Sequence, residues 1–115
     1  MHACNNLTLL AIAISCIACA ATVHAKDVDI SQKGKTFQVQ KAPVAKLAVK
    51  VGDTVSFRND DPFFHNVYSS SPAKAFDLGS YPQGQARKVT FDQEGSVDVE
   101  CAIHPEMKLR VEVSR

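Results

Sequence analysis

From residue 26 onward, apolar and polar residues alternate in short runs separated by turn signals. No apolar face of period 3.6 runs long enough to predict a confident helix. Val28 and Ile30 alternate with charged neighbours before a turn at Gln32-Lys33-Gly34-Lys35, and Phe37 and Val39 alternate again until Ala42-Pro43 breaks the run. Leu47, Val49 and Val51 are expected on one face, followed by the turn Gly52-Asp53 and a strand carrying Val55 and Phe57. Asn59-Asp60-Asp61-Pro62 is a loop signal that leads into Phe63-Phe64-His65-Asn66-Val67-Tyr68. The least regular region runs from Ser69 to Gly84. Val89 and Phe91, then Val97, Val99 and Cys101, then Leu109, Val111 and Val113 mark the inward faces of the last strands. The pattern predicts an all-β sandwich of roughly seven to eight strands, with at most one short helical turn near residues 73–76.

The first segment is different. Leu7 to Val23 is apolar and rich in small residues, and Val23-His24-Ala25 precedes the charged pair Lys26-Asp27. This reads as a signal peptide over residues 1–25, cleaved after Ala25 and followed by one domain over residues 26–115. Its n-region is atypical, because Met1 to Asn6 contains no Lys or Arg. A retained membrane anchor is the second reading, since the run approaches the ~18 apolar residues of a spanning helix. Cleavage removes Cys4, Cys16 and Cys19 and leaves Cys101 alone, which excludes a disulfide scaffold within the domain. With 13 basic against 12 acidic residues and a formal net charge of +1, the chain carries no electrostatic footprint for nucleic acid.

Candidate chemistry concentrates in Cys101-Ala102-Ile103-His104-Pro105-Glu106-Met107. By strand parity Cys101 shares the inward face of Val97 and Val99, which places its sulfur at the dry end of the core. A lone buried cysteine is ordinarily a small hydrophobe, a loop histidine ordinarily solvated and a methionine ordinarily a gap-filler. Here, however, residues 26–115 hold one Cys, two His and one Met, and His65, Cys101, His104 and Met107 account for all of them. A thiolate and two imidazoles in a trigonal plane with a weak axial thioether suit copper that changes oxidation state. Structural zinc has little use for the thioether, so Met107 argues for copper, although a redox-silent zinc or copper-carrying site is the alternative of the same class.

These motifs resemble the cupredoxin (type 1 blue copper) family, and within it the amicyanin/plastocyanin-like proteins. The resemblance runs from about Val49 to the C-terminus. It is carried by Val51-Gly52-Asp53-Thr54-Val55, by His65-Asn66-Val67, by Glu94-Gly95 leading into Cys101, and by the short spacing Cys101-x-x-His104-x-x-Met107. It implies a Greek-key sandwich with one type 1 copper, His65, Cys101 and His104 as equatorial ligands and Met107 as the axial one. It also implies that Asn66 ties the two ligand loops together and donates a backbone N–H to the Cys101 sulfur. Three positions depart from the family pattern. Phe64 and Ile103 stand where proline is expected, and Glu100 stands where many members have an aromatic beside the cysteine. Ile103, unlike proline, keeps its N–H, which is expected to give the thiolate an extra donor.

The function expected from these residues is that of an exported, periplasmic one-electron carrier, monomeric and without enzymatic activity. It would meet a cytochrome or dehydrogenase transiently through an apolar rim of Pro62, Phe63, Ala102, Ile103 and Pro105 around His104. Lys74, Lys108 and Asp60-Asp61 are candidate steering charges. The rival reading is copper storage or delivery without electron transfer.

Overall fold

A computed structural model describes residues 24–115. The apolar segment read as a signal peptide lies outside these residues, apart from its last two, His24 and Ala25. The described chain forms ten strands: β1 (Asp27–Lys33), β2 (Thr36–Val39), β3 (Ala42–Pro43), β4 (Lys46–Lys50), β5 (Thr54–Asn59), β6 (His65–Ser69), β7 (Phe76–Tyr81), β8 (Ala86–Thr90), β9 (Gly95–Cys101) and β10 (Lys108–Ser114). One sheet has the order β3-β2-β1-β5-β8 and the other β4-β10-β9-β6-β7. The all-β sandwich is thus present, with ten strands rather than seven or eight. One of the additional strands is the Ala42-Pro43 break itself. It pairs with β2 at the sheet edge, where a proline without an N–H is tolerated.

Alternation explains the core. Inward residues of β1 and β5 (Ile30, Val55, Phe57) face inward residues of β6, β9 and β10 (Val67, Val97, Val99, Leu109, Val111, Val113), and all of them are buried. Each such side chain contributes about 1.5–3 kcal/mol on burial. Aromatic rings link the two layers: Phe37 meets Phe57 edge-on at 6.1 Å, Phe57 lies 6.4 Å from Phe76, and Phe76 lies 6.4 Å from Phe91 in an edge contact. Two expectations give way. Val51 is 40% exposed because it sits in the turn after β4 and not in the strand. No helix occurs among the described residues. The chain instead turns at residues 71–74, Lys74 N–H donating to Ser71 O at 3.1 Å, and Phe76 already opens β7.

Register fixes where the ligand candidates fall. Val67 lies opposite Cys101 and Tyr68 opposite Glu100 in the β6–β9 pair, while His65 lies opposite Tyr81 in β6–β7. A register shift between Asn66 and Tyr68 marks a bulge against β7, which contains Gly79 at φ +70°. Bulges of this kind re-aim side chains at the edge of a sheet.

Beside His65, the Tyr81 hydroxyl donates to Phe57 O at 3.0 Å and accepts from Gln32 Nε2 at 2.6 Å, all of it buried. Tyr81→Phe removes the oxygen that satisfies both groups. The expected cost is about 2 kcal/mol, since two buried polar groups lose their partner. It should appear in urea unfolding as a lower midpoint at unchanged m-value.

Candidate metal centre

Asn59, the last residue of β5, organises the first ligand loop. Its side-chain amide donates to Phe63 O at 2.8 Å and Tyr81 O at 2.9 Å, and its carbonyl oxygen accepts the Asp61 N–H at 2.8 Å. The bonds to Phe63 and Asp61 close the turn over residues 60–64 that delivers His65 into β6, and the bond to Tyr81 ties that turn to the end of β7. The second loop leaves β9 at Cys101 and returns at Met107. Met107 N–H donates to His104 O at 2.9 Å, and Cys101 N–H to Met107 O at 3.4 Å. The two loops are tied by Ala102 N–H donating to Asn66 O at 2.9 Å.

Three of the four candidates then converge. His65 is fully buried, Cys101 is 1% exposed and His104 is half-buried. The Cys101 Sγ lies 3.6 Å from His65 Nδ1 and 3.7 Å from His104 Nδ1. One donor atom from each of the three residues lies within 4.8 Å of the others. A sulfur at about 2.3 Å and a nitrogen at about 2.0–2.1 Å from one metal, splayed by about 110–120°, stand about 3.5–3.8 Å apart. The spacing thus fits a trigonal site. Met107 is buried in the same loop, 1% exposed, and its backbone bonds to Cys101 and His104 hold it beside them.

Hydrogen bonding prepares these donors. His65 Nε2 lies 2.8 Å from Asp61 Oδ2. An ionised carboxylate only accepts, so in the neutral imidazole Nε2 carries the proton and Nδ1 turns its lone pair toward Cys101. Burial alone would raise the Asp61 carboxyl, but the Gly34 N–H, the His65 ring and the Lys35 N–H outweigh it, and its pKa is lowered. Burial, followed by repulsion from His65 and Lys35, holds the His104 imidazole below its ordinary value, which favours the neutral, ligating form. The Phe63 ring packs at 5.4 Å from His65 and 5.0 Å from His104, and Lys35 Nζ lies 5.7 Å above it.

The sulfur takes its backbone donor from Asn66, whose N–H lies 3.5 Å from Sγ. Ile103 supplies none. Its residue is 47% exposed, and among the described residues its N–H makes no bond to the sulfur. Asp61, by sequence a candidate steering charge, is instead buried and clamps His65 and the β1–β2 turn, accepting from His65 Nε2 at 2.8 Å, Gly34 N–H at 2.7 Å and Lys35 N–H at 3.2 Å. Its role escaped the sequence reading. Asp61 stands four residues before His65, but only the loop held by Asn59 turns its carboxylate inward. An aromatic absent before Cys101 is present across the ladder. Tyr68 donates its hydroxyl to Glu100 Oε2 at 3.0 Å.

No family model matches the chain. Among curated proteins, the methylamine utilization protein MauL of Methylorubrum extorquens is 30% identical over 69 residues, covering 59% of this chain and 60% of that protein. Amicyanin of Paracoccus denitrificans is 34% identical over 76 residues, covering 64% of this chain and 58% of that protein. The chain therefore spans about 60% of the length of the curated relatives it matches. Among solved structures, a proline-to-glycine variant of amicyanin in its reduced Cu(I) form superposes with a TM-score of 0.64 at 31% identity, over 78% of this chain and 82% of that one. The chain belongs to the cupredoxin family. A Cu-containing nitrite reductase from Thermus scotoductus also superposes, with a TM-score of 0.68 at 25% identity, but this cupredoxin covers only 22% of that chain.

Two outcomes are expected. Asp61→Ala strands three donors, those of Gly34, Lys35 and His65. It should cost about 3 kcal/mol in urea unfolding of the metal-free protein, more than a surface carboxylate would. The chain has two tyrosines, and both phenols are raised: Tyr81 to about 12 by burial, Tyr68 by its bond to Glu100. An ultraviolet titration of the folded protein should show less phenolate at about pH 10 than the urea-unfolded chain, which is half ionised there. A raised folded pKa favours the protonated phenol, so this contribution is intact below about pH 10 and is lost as pH rises toward the folded values.

Proposed function

We propose that the chain is an exported one-electron carrier whose His65, Cys101 and His104 would hold a single type 1 copper ion, with Met107 as a fourth, weaker donor. The observation that carries the reading is the spacing of the two Nδ1 atoms around one buried thiol, 3.6 Å and 3.7 Å from Sγ. Copper bound there would supply a one-electron couple; thiolate and thioether favour its reduced state, and the imidazoles suit both states. No protein oxygen or open substrate position belongs to the set, which supports a carrier and not an enzyme.

The residues of the chain do the rest. Asn59, Asp61 and the Ala102–Asn66 bond hold the donors in place before metal arrives, so little rearrangement accompanies a change of charge. Asn66 N–H aims at the sulfur and moderates its basicity. Phe63 packs against both imidazoles, which also touch each other, and so braces the pair. His104 lies at the rim beside exposed Pro62, Ala102, Ile103 and Pro105, together with Phe64, which is 54% exposed. A small apolar patch over a redox centre suits a brief contact with a cytochrome or dehydrogenase, of the kind that buries little area. The charges assigned to steering are engaged locally, Lys74 with Asp92 at 3.5 Å and Lys108 with Glu100 at 4.0 Å.

Export rests on the sequence of residues 1–25, read as a signal peptide, with residues 26–115 as a monomeric periplasmic domain. Among the described residues no helix is long and apolar enough to cross a membrane.

The visible and electron-paramagnetic-resonance spectra of the copper-loaded protein test the reading. An intense blue thiolate-to-copper(II) band is expected, lost in Cys101→Ser. Stopped-flow mixing with a small redox protein should show rapid exchange. A colourless copper(II) form, or slow exchange with every partner tried, would instead favour copper storage or delivery.

A further inference from the structure

At the end of β5 opposite Asn59, a second carboxylate is buried. Asp53 is 5% exposed, and its two oxygens accept the backbone N–H groups of Lys26 and Lys50, each at 2.8 Å. Lys26 is held from its other side as well, its carbonyl accepting Thr54 N–H at 2.9 Å. The β1–β5 ladder begins one residue later, at Asp27 opposite Thr54. As long as residue 26 is an internal residue, both close donors to Asp53 are neutral amides. A carboxylate withdrawn from water is costly unless a charge faces it. The Lys26 and Lys50 side chains bring charge nearby, and the position where a charged donor would touch the carboxylate itself is the nitrogen of the residue just after the predicted cleavage point.

We propose that the Ala25–Lys26 bond is a processing site, and that its hydrolysis turns the Lys26 nitrogen into an α-ammonium that pairs with Asp53 and staples β1 to the turn before β5. This rests on the export reading above. A signal endopeptidase adds water across the bond in the unfolded precursor. Ala25 leaves with the new carboxylate on the leader, and the Lys26 amine takes a proton from solvent near neutral pH. When the domain then folds, the 2.8 Å contact with Asp53 becomes charge-assisted, and such bonds are roughly twice as strong as neutral ones. The charges facing Asp53 are those of Lys26 and Lys50. Processing thus makes the mature domain more stable than a precursor that keeps its leader.

The test exports the full chain and reads its N-terminus by mass spectrometry, with Lys26 expected first. A second chain carries an asparagine inserted between Ala25 and Lys26. Asparagine is too large for the small-residue position before the cut, so this chain should begin at the insertion and restore a neutral amide at Lys26. It should melt about 5 °C lower at pH 6, and the gap should close when both chains carry Asp53→Asn. A different N-terminus in the parent, equal melting of the two chains, or a gap that survives Asp53→Asn overturns the proposal. If Asp53→Asn does not fold, the ionisation of the Lys26 α-amine is followed by NMR in the parent. A pKa above the ordinary value of about 7.7–8.0 supports the pair, and an ordinary one overturns it. Both chains should share one copper spectrum, so failure of the copper reading is seen separately.

Discussion

One constraint governs this molecule: a polarisable sulfur must sit at the dry end of a β-sandwich core while two imidazole nitrogens stand beside it. The parity of β9 buries Cys101 with Val97 and Val99, and the β6–β9 register places Val67 against it, with His65 two residues away on the same face. A buried thiol alone would be protonated and inert. With Nδ1 atoms at 3.6 Å and 3.7 Å it becomes the centre of a donor set, and the rest of the fold can be understood as what keeps that spacing.

Buried polar side chains do most of that keeping. Asn59 divides its amide between the turn before His65 and the end of β7, and Asp61 links His65 to the β1–β2 turn of the opposite sheet. Gln32 and Tyr81 bridge the two sheets beneath the same corner. Each group is costly to bury alone and is tolerated because its partners are fixed. Asp53 plays the corresponding part at the other end of β5, joining the start of β1 to the end of β4. A sandwich held only by apolar contact would leave its loops free to drift, whereas these bonds fix both ends.

Much of this was legible in the chain. The inward positions from Val55 to Val113 follow from a period of two, and the composition of residues 26–115 made the donor set conspicuous. The short loop from Cys101 to Met107 pointed to the cupredoxin branch that the comparisons with amicyanin support. Where the reading slipped, the cause was local propensity overruled by neighbours. Residues 73–76 hold the end of a turn and the first residue of β7, and Ala42-Pro43 found an edge on which to pair. Ile103 is exposed, and the backbone donor to the sulfur is Asn66 and not Ile103. Asp61 looked like a solvated loop charge and is an internal clamp.

The sequence by itself determined which residues point inward and which side chains can bind a soft metal, because parity and donor chemistry are properties of neighbours along the chain. Only the tertiary structure decided that His65 meets Cys101 across 36 positions, that Asp61 orients the imidazole, and that Asp53 receives the nitrogen of Lys26. Those are matters of register and loop closure between distant strands, and no local pattern encodes them.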